Sequence, residues 1–253
     1  MTLVLALVLG LLIGGVLGAL GGGGAILTVP LLVYVLGQDA RAATAASLII
    51  VGLTAVAGTA GHARAGRVRW GTGVVFGSVG AVAAIAGTAV NRLLNPDLLM
   101  LGFAVLMGVA ATGMLLRAAP EEQTPPDGPR SVVPGGILAG LGVGFLTGLF
   151  GVGGGFVIVP ALVLALRMRM PAAVGTSLLV VAINSAASLA ARGGGPGLDW
   201  AVVLPFTAAA VAGALAGGKV AERLPTALLT RAFAVLLLAV GGCVAVTSAA
   251  ALG

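Results

Sequence analysis

GALGGGGAILTVP, residues 18–30, returns 130 residues later as GLFGVGGGFVIVP, residues 148–160. Each segment sits inside a long apolar stretch, 2–36 in the first copy and 132–166 in the second. Such a stretch, 35 residues long, is too long for one helix across ~30 Å of hydrocarbon and too short for two full ones. The consecutive glycines, Gly21–Gly24 and then Gly151 with Gly153–Gly155, favour a break there. Each interior glycine costs a helix about 1 kcal/mol relative to alanine. The stretch is therefore either one bent helix or a hairpin, and the choice sets the orientation of everything after it.

The repetition extends well beyond the glycines. From about Gly14 to Leu106 the chain overlies itself without a gap. Pro30 falls on Pro160, Ser47-Leu48 on Ser177-Leu178, Trp70 on Trp200, and Phe103 to Leu106 on Phe233 to Leu236. Three further spans follow each glycine stretch: about 43–61, 71–91 and 97–116, then 172–191, 200–218 and 227–247. The expected organisation is a first repeat over 1–116, a linker over 117–130 and a second repeat over 131–253. The linker, RAAPEEQTPPDGPR, is too rich in charge and proline to lie in lipid.

Of 253 residues, 59% are hydrophobic and 8% charged, too few charges to cover a water-soluble surface. The chain reads as an all-α polytopic membrane protein. The amino-terminal apolar run is kept as structure rather than leader, because residues 144–163 repeat 14–33. Its 13 Lys+Arg are scattered singly through short loops, which speaks for topology signals and against a nucleic-acid partner.

Those charges arbitrate between bend and hairpin. If each repeat crosses four times, Arg41, Arg92, Arg167, Arg169, Lys219, Arg223 and Arg231 face one side and the remaining six the other. Seven against six is no bias. With a hairpin at each glycine run, only Arg41, Arg92 and Arg192 separate from the other ten. Cytoplasmic loops are enriched in Lys and Arg. The expectation is two inverted repeats, each a Gly-broken helical hairpin plus three transmembrane helices, with the linker cytoplasmic, both termini outside, and the protein multi-pass in a bacterial inner membrane.

Nothing in the spans supports catalysis. His62 is the only histidine, the seven carboxylates lie in loops or at span ends, and Cys243 is the only cysteine. An enzyme, a metal site and a bound cofactor are therefore not expected. The chemistry is expected at the breaks, where bare backbone N–H groups and a restarting helix near Ala25 or Phe156 would make an anion site without a charged side chain. The substrate-binding candidates are Gly21, Gly22, Gly23, Gly24 and Ser47 in the first repeat. In the second they are Gly151, Gly153, Gly154, Gly155, Thr176, Ser177 and Asn184. Gly14, Gly18, Gly144 and Gly148 have the spacing of helix-packing glycines, and Trp70 and Trp200 that of interface anchors.

The paired Gly-rich segments ending in Pro, the Thr176-Ser177-Leu178 triplet with Ala46-Ser47-Leu48 as its copy, and a Trp heading the next span resemble the TauE/SafE sulfite exporter family. The likeness covers nearly the whole chain. The first half departs from it, with Ala25 for the last glycine, Ala46 for the threonine, and Arg41-Ala-Ala-Thr where the second half has Pro171-Ala-Ala-Val. The resemblance implies small sulfur-containing anions such as sulfite, sulfoacetate or thiosulfate, carried outward. An anion channel of the same architecture, or a non-transporting membrane partner or assembly protein, stays open at this point, as does a homo-oligomer.

Overall fold

The computed structural model describes residues 2–91, 93–94, 96–116, 129–150, 155–191 and 198–252, and every element among them is helical. In the first repeat α1 is Thr2–Leu20, followed by a 3₁₀ turn at Gly22–Gly24, α2 at Ala25–Pro30 and a π-helical extension at Leu31–Val35. Then come α3 (Ala40–Arg64), α4 (Trp70–Asn91) and α5 (Pro96–Leu116). The second repeat gives α6 (Pro129–Phe150), α7 (Gly155–Leu164), α8 (Met170–Ala191), α9 (Trp200–Arg223) and α10 (Thr226–Leu252). Several helices run a few residues past the apolar spans, because backbone hydrogen bonding continues into the interface. Six helices among the described residues are long and apolar enough to cross a membrane. The outer surface matches: Val82, Ile85, Val105, Val109, Leu204 and Val235 are all at least 60% exposed, in a molecule whose solvent there is lipid.

The glycine run reverses the chain. In a continuous helix Gly24 would lie ~10 Å beyond Leu17 and ~16 Å beyond Ile13 along the axis. Instead a Cβ placed on Gly24 would come within 2.8 Å of the Ile13 carbonyl oxygen and 3.0 Å of Leu17 Cβ. The arm beyond the break therefore packs back on α1. Both arms end alike. Gln38 N–H donates to Leu32 O and Met168 N–H to Leu162 O, each at 3.0 Å, across a residue of positive φ, Gly37 at 66° and Arg167 at 51°. The arms differ inside. Pro30 ends α2 and a π-helical segment follows, whereas α7 carries Pro160 within ten continuous helical residues and buries Phe156 to Val159 and Leu162 in the main core.

The most extensive contacts join one repeat to the other. Gly10, Gly14 and Gly18 of α1 lie against Phe206, Ala210 and Ala214 of α9. Gly140, Gly144 and Gly148 of α6 lie against Phe76, Gly80 and Ala84 of α4. These two seams are the same seam, 130 residues apart. In both, residue numbers rise together, so the paired helices run in the same direction. With only hydrogen at Cα, the backbones touch directly, which is how helices associate where no hydrophobic effect separates lipid from side chain. In the centre α3 crosses α8 antiparallel, Gly52 against Ser185 and Gly58 against Leu178, while α4 runs parallel to α8, Gly73 against Leu179 and Gly77 against Ile183. Trp70 and Trp200, at the heads of α4 and α9, are 55% and 51% exposed, as interface anchors are.

Candidate functional site

Gly21 opens the first break with φ 78° and ψ −141°, a backbone region that only glycine enters at low cost. Its N–H still closes on Leu17 O at 2.8 Å, after which the 3₁₀ turn starts and Ala25 N–H returns to Gly22 O. Thr28 Oγ1 donates to Gly24 O at 3.3 Å, a side-chain bond back onto the turn that precedes it.

The first break meets the start of α7. A Cβ on Gly22 would overlap the backbone of Gly155, and one on Gly155 would come within 2.6 Å of Gly22 O. One neighbour of Gly21 is Ser177 Oγ, with Val159 Cγ2 at 3.0 Å and Val174 Cα at 3.3 Å from a Cβ placed there. Residues separated by more than 130 positions thus share one contact: Gly21 and Gly22 from the first repeat, Gly155 and Ser177 from the second. Gly151, Gly153 and Gly154 lie outside the described residues, and of Gly23 only the backbone is described.

The hydroxyl candidates divide. Ser177, fully buried, donates to Val174 O, and Ser47, 7% exposed, donates to Thr44 O, both at 2.8 Å. This bond uses the hydroxyl proton and leaves the oxygen lone pairs. Thr176 instead accepts the Arg69 N–H at 3.1 Å and holds the loop between α3 and α4; the structure does not bring it to the break. Asn184 Oδ1 is buried without a hydrogen-bond partner, and so is Thr54 Oγ1, its counterpart 130 residues earlier. Both stand close to where α3 and α8 cross, near Gly52 and Ser185.

Sequence reasoning missed the groups that finish the helices leading into the breaks. His62 Nε2 donates to Gly18 O at 2.9 Å; since a carbonyl only accepts, Nε2 carries the proton. In the second repeat Asn91 Nδ2 donates to Leu149 O at 2.6 Å, and Thr88 Oγ1 reaches Gly148 O at 3.5 Å. Gly18 and Gly148 are repeat partners, yet their carbonyls are covered from α3 in one case and from α4 in the other. The signal for these residues was their polarity at span ends, and they went unnoticed because they are not themselves repeated.

The family model for the sulfite exporter TauE/SafE matches residues 6–244. The chain belongs to the TauE/SafE family. Among curated relatives, a "probable membrane transporter protein" of Xylella fastidiosa (strain 9a5c) is 35% identical over 234 residues, covering 90% of this chain and 89% of the relative. The "probable membrane transporter protein YunE" of Bacillus subtilis (strain 168) is 25% identical, covering 95% and 96%. The archaeal "probable membrane transporter protein MJ0441" of Methanocaldococcus jannaschii is 27% identical over 192 residues. No solved structure matches the chain. As a TauE/SafE member with several membrane-spanning helices, the protein is a multi-pass membrane transporter. Among the described residues no group of His, Cys, Asp and Glu side chains is placed to hold a metal ion.

Proposed function

We propose that this transporter carries a small sulfur oxyanion of the sulfite, sulfoacetate or thiosulfate class outward across a bacterial inner membrane, at the place where the first glycine break meets the start of α7. The contact of Gly21 and Gly22 with Gly155 and Ser177 carries this reading. Backbone N–H groups of the first turn and the α7 N-terminus supply a positive potential, Asn184 Nδ2 is a neutral donor, and Ser177 and Ser47 join when their hydroxyl protons turn from Val174 O and Thr44 O to the anion. Gly23 and Gly24 belong to the same turn, and Gly151, Gly153 and Gly154 are proposed as their counterparts from the repeat. Thr176 positions the α3–α4 loop. Because Gly22 and Gly155 are in backbone contact, the anion passes only when the arms part, which favours a carrier over an open channel. Outward movement needs no proton-relay carboxylate: leaving a negative-inside cell releases about 2.3 kcal/mol per charge per 100 mV.

The decisive experiment is a thermal-shift screen of the detergent-purified protein against sulfite, thiosulfate, sulfoacetate, taurine and sulfate, followed by counterflow in proteoliposomes. A sulfur oxyanion should stabilise the protein and show saturable exchange; stabilisation by none of them would overturn the substrate class.

Ser177→Ala and Asn184→Ala should each weaken anion binding by roughly ten- to a hundredfold, the effect of one hydrogen bond to a charged ligand. Ser47→Ala should do the same or less, since its repeat is the more divergent. Unchanged affinity in all three would remove these side chains from the ligand set.

The proposed orientation places the halves inverted, the 117–130 linker in the cytoplasm and both termini outside. Its support is the reversal at Gly24 and the antiparallel crossing of α3 and α8, which repeats of one orientation would set parallel. In a Cys243→Ala background, single cysteines at Ala119 and Thr124 should resist an impermeant thiol reagent in intact cells, and one at Gly253 should react. Labelling of the linker from outside would refute it.

A further inference from the structure

A cavity of about 360 Å³ opens between the carboxyl-terminal ends of α3 and α9, lined by His62, Arg64, Lys219 and Glu222 among small residues. That volume lies within the range of small-ligand pockets. Arg64, Lys219 and Glu222 are exposed at its mouth, whereas His62 is 3% exposed. Glu222 pairs with Arg67 at 3.9 Å, and among the described residues neither Arg64 nor Lys219 is paired with a carboxylate at the cavity. The cavity is therefore cationic. One wall leads inward: His62 is bonded to Gly18, three residues before the break at Gly21.

His62 Nδ1 is buried and has no partner. With Nε2–H committed to Gly18 O, neutral His62 presents only a bare lone pair at Nδ1. A proton there gives the ring a positive charge at the cavity's inner wall, which favours an oxyanion within the cavity. The charged neighbours are Arg64 on the same helix, Arg67 in the following loop, and Lys219 and Glu222 on α9. The other two helices against the ring, α1 and α8, carry no titratable side chain.

We infer that this cavity is a second oxyanion site, an outer station in which Arg64 and Lys219 attract the anion and His62 binds it together with one proton taken up from solution. The inference rests on the anion-carrier reading, and in the proposed orientation the station faces the cytoplasm, where an exported anion is loaded.

Equilibrium binding of radiolabelled thiosulfate to the detergent-purified full chain tests it, because thiosulfate keeps its charge across the neutral range. The wild type should bind at two classes of site, one of them tightening by several-fold as pH falls from about 8 to about 6. Arg64→Gln/Lys219→Gln, altering only exposed side chains, should weaken the pH-dependent class by roughly tenfold or more and spare the other. His62→Gln, whose amide can still donate to Gly18 O, should flatten the pH dependence. Ser177→Ala should do the converse, weakening the inner class alone. Wild-type binding in the double variant, or an unmoved pH profile in His62→Gln, overturns the outer station and leaves the inner site standing. Loss of the outer class in the double variant with no change in Ser177→Ala sustains the station and removes Ser177 from the inner site. A wild type that binds no thiosulfate overturns the station, and the inner site falls with it only if sulfite and sulfoacetate do not bind either.

Discussion

Alanine at Gly22 or Gly155 is expected to abolish transport. A single methyl group at either position overlaps backbone of the opposite repeat, with no flexible side chain to yield. Overpacking of this kind costs about 1–3 kcal/mol and more when both sides are backbone. The arms are left to separate permanently or to jam, and neither state alternates. Flux of sulfite in proteoliposomes should fall by roughly a hundredfold or more, the equivalent of about 3 kcal/mol. Insertion should survive, because the spans themselves are unaltered. Purified, correctly sized Gly22→Ala and Gly155→Ala proteins that transport within about twofold of wild type would remove the contact from the mechanism.

The second large effect concerns stability. Gly14→Ala and Gly144→Ala place a methyl group into the α1–α9 and α4–α6 seams, against the backbones of Ala210 and Gly80. Each should lower the unfolding free energy by about 1–3 kcal/mol, read as a drop in the thermal midpoint of the detergent-solubilised protein. Because the two seams share no residue, the double variant should lose about the sum. Gly108→Ala and Gly142→Ala are the controls, since a Cβ there meets nothing within 4 Å. These should be neutral or slightly stabilising, alanine being the better helix former. Equal losses at seam and control positions would mean that glycine content in general, and not backbone contact, sets the stability.

Gly14 and Gly18, four residues apart, carry the helix-packing spacing that Gly142 lacks, but the helix they would meet was invisible in the chain. The same holds for the hydroxyls. Ser177 and Thr176 are adjacent and equally buried, yet one lies against Gly21 and the other holds Arg69 N–H. Adjacent residues on a helix point about 100° apart, so one turn of α8 serves two purposes. His62 is the sharper case. Reading the chain for catalysis set it aside for want of a partner, and its partner is the carbonyl of Gly18, on a helix that precedes it by 44 residues.

By itself the sequence determined the solvent, the spans, the duplication and the place where each first helix breaks. These follow from local quantities: apolar content over about 20 residues, charge in the loops, and consecutive glycines that a helix does not tolerate. Only the tertiary structure decided who packs on whom. The spans are apolar on every side, so no polar face marks an exterior, and the glycine stripes mark one side of each seam without naming its partner. The pairing of α1 with α9 and of α6 with α4, across the repeats, depends on shape alone: glycine and alanine edges that fit backbone to backbone. That fit brings Gly22 to Gly155 and His62 to Gly18, and it involves residues too far apart in the chain for any local pattern to record.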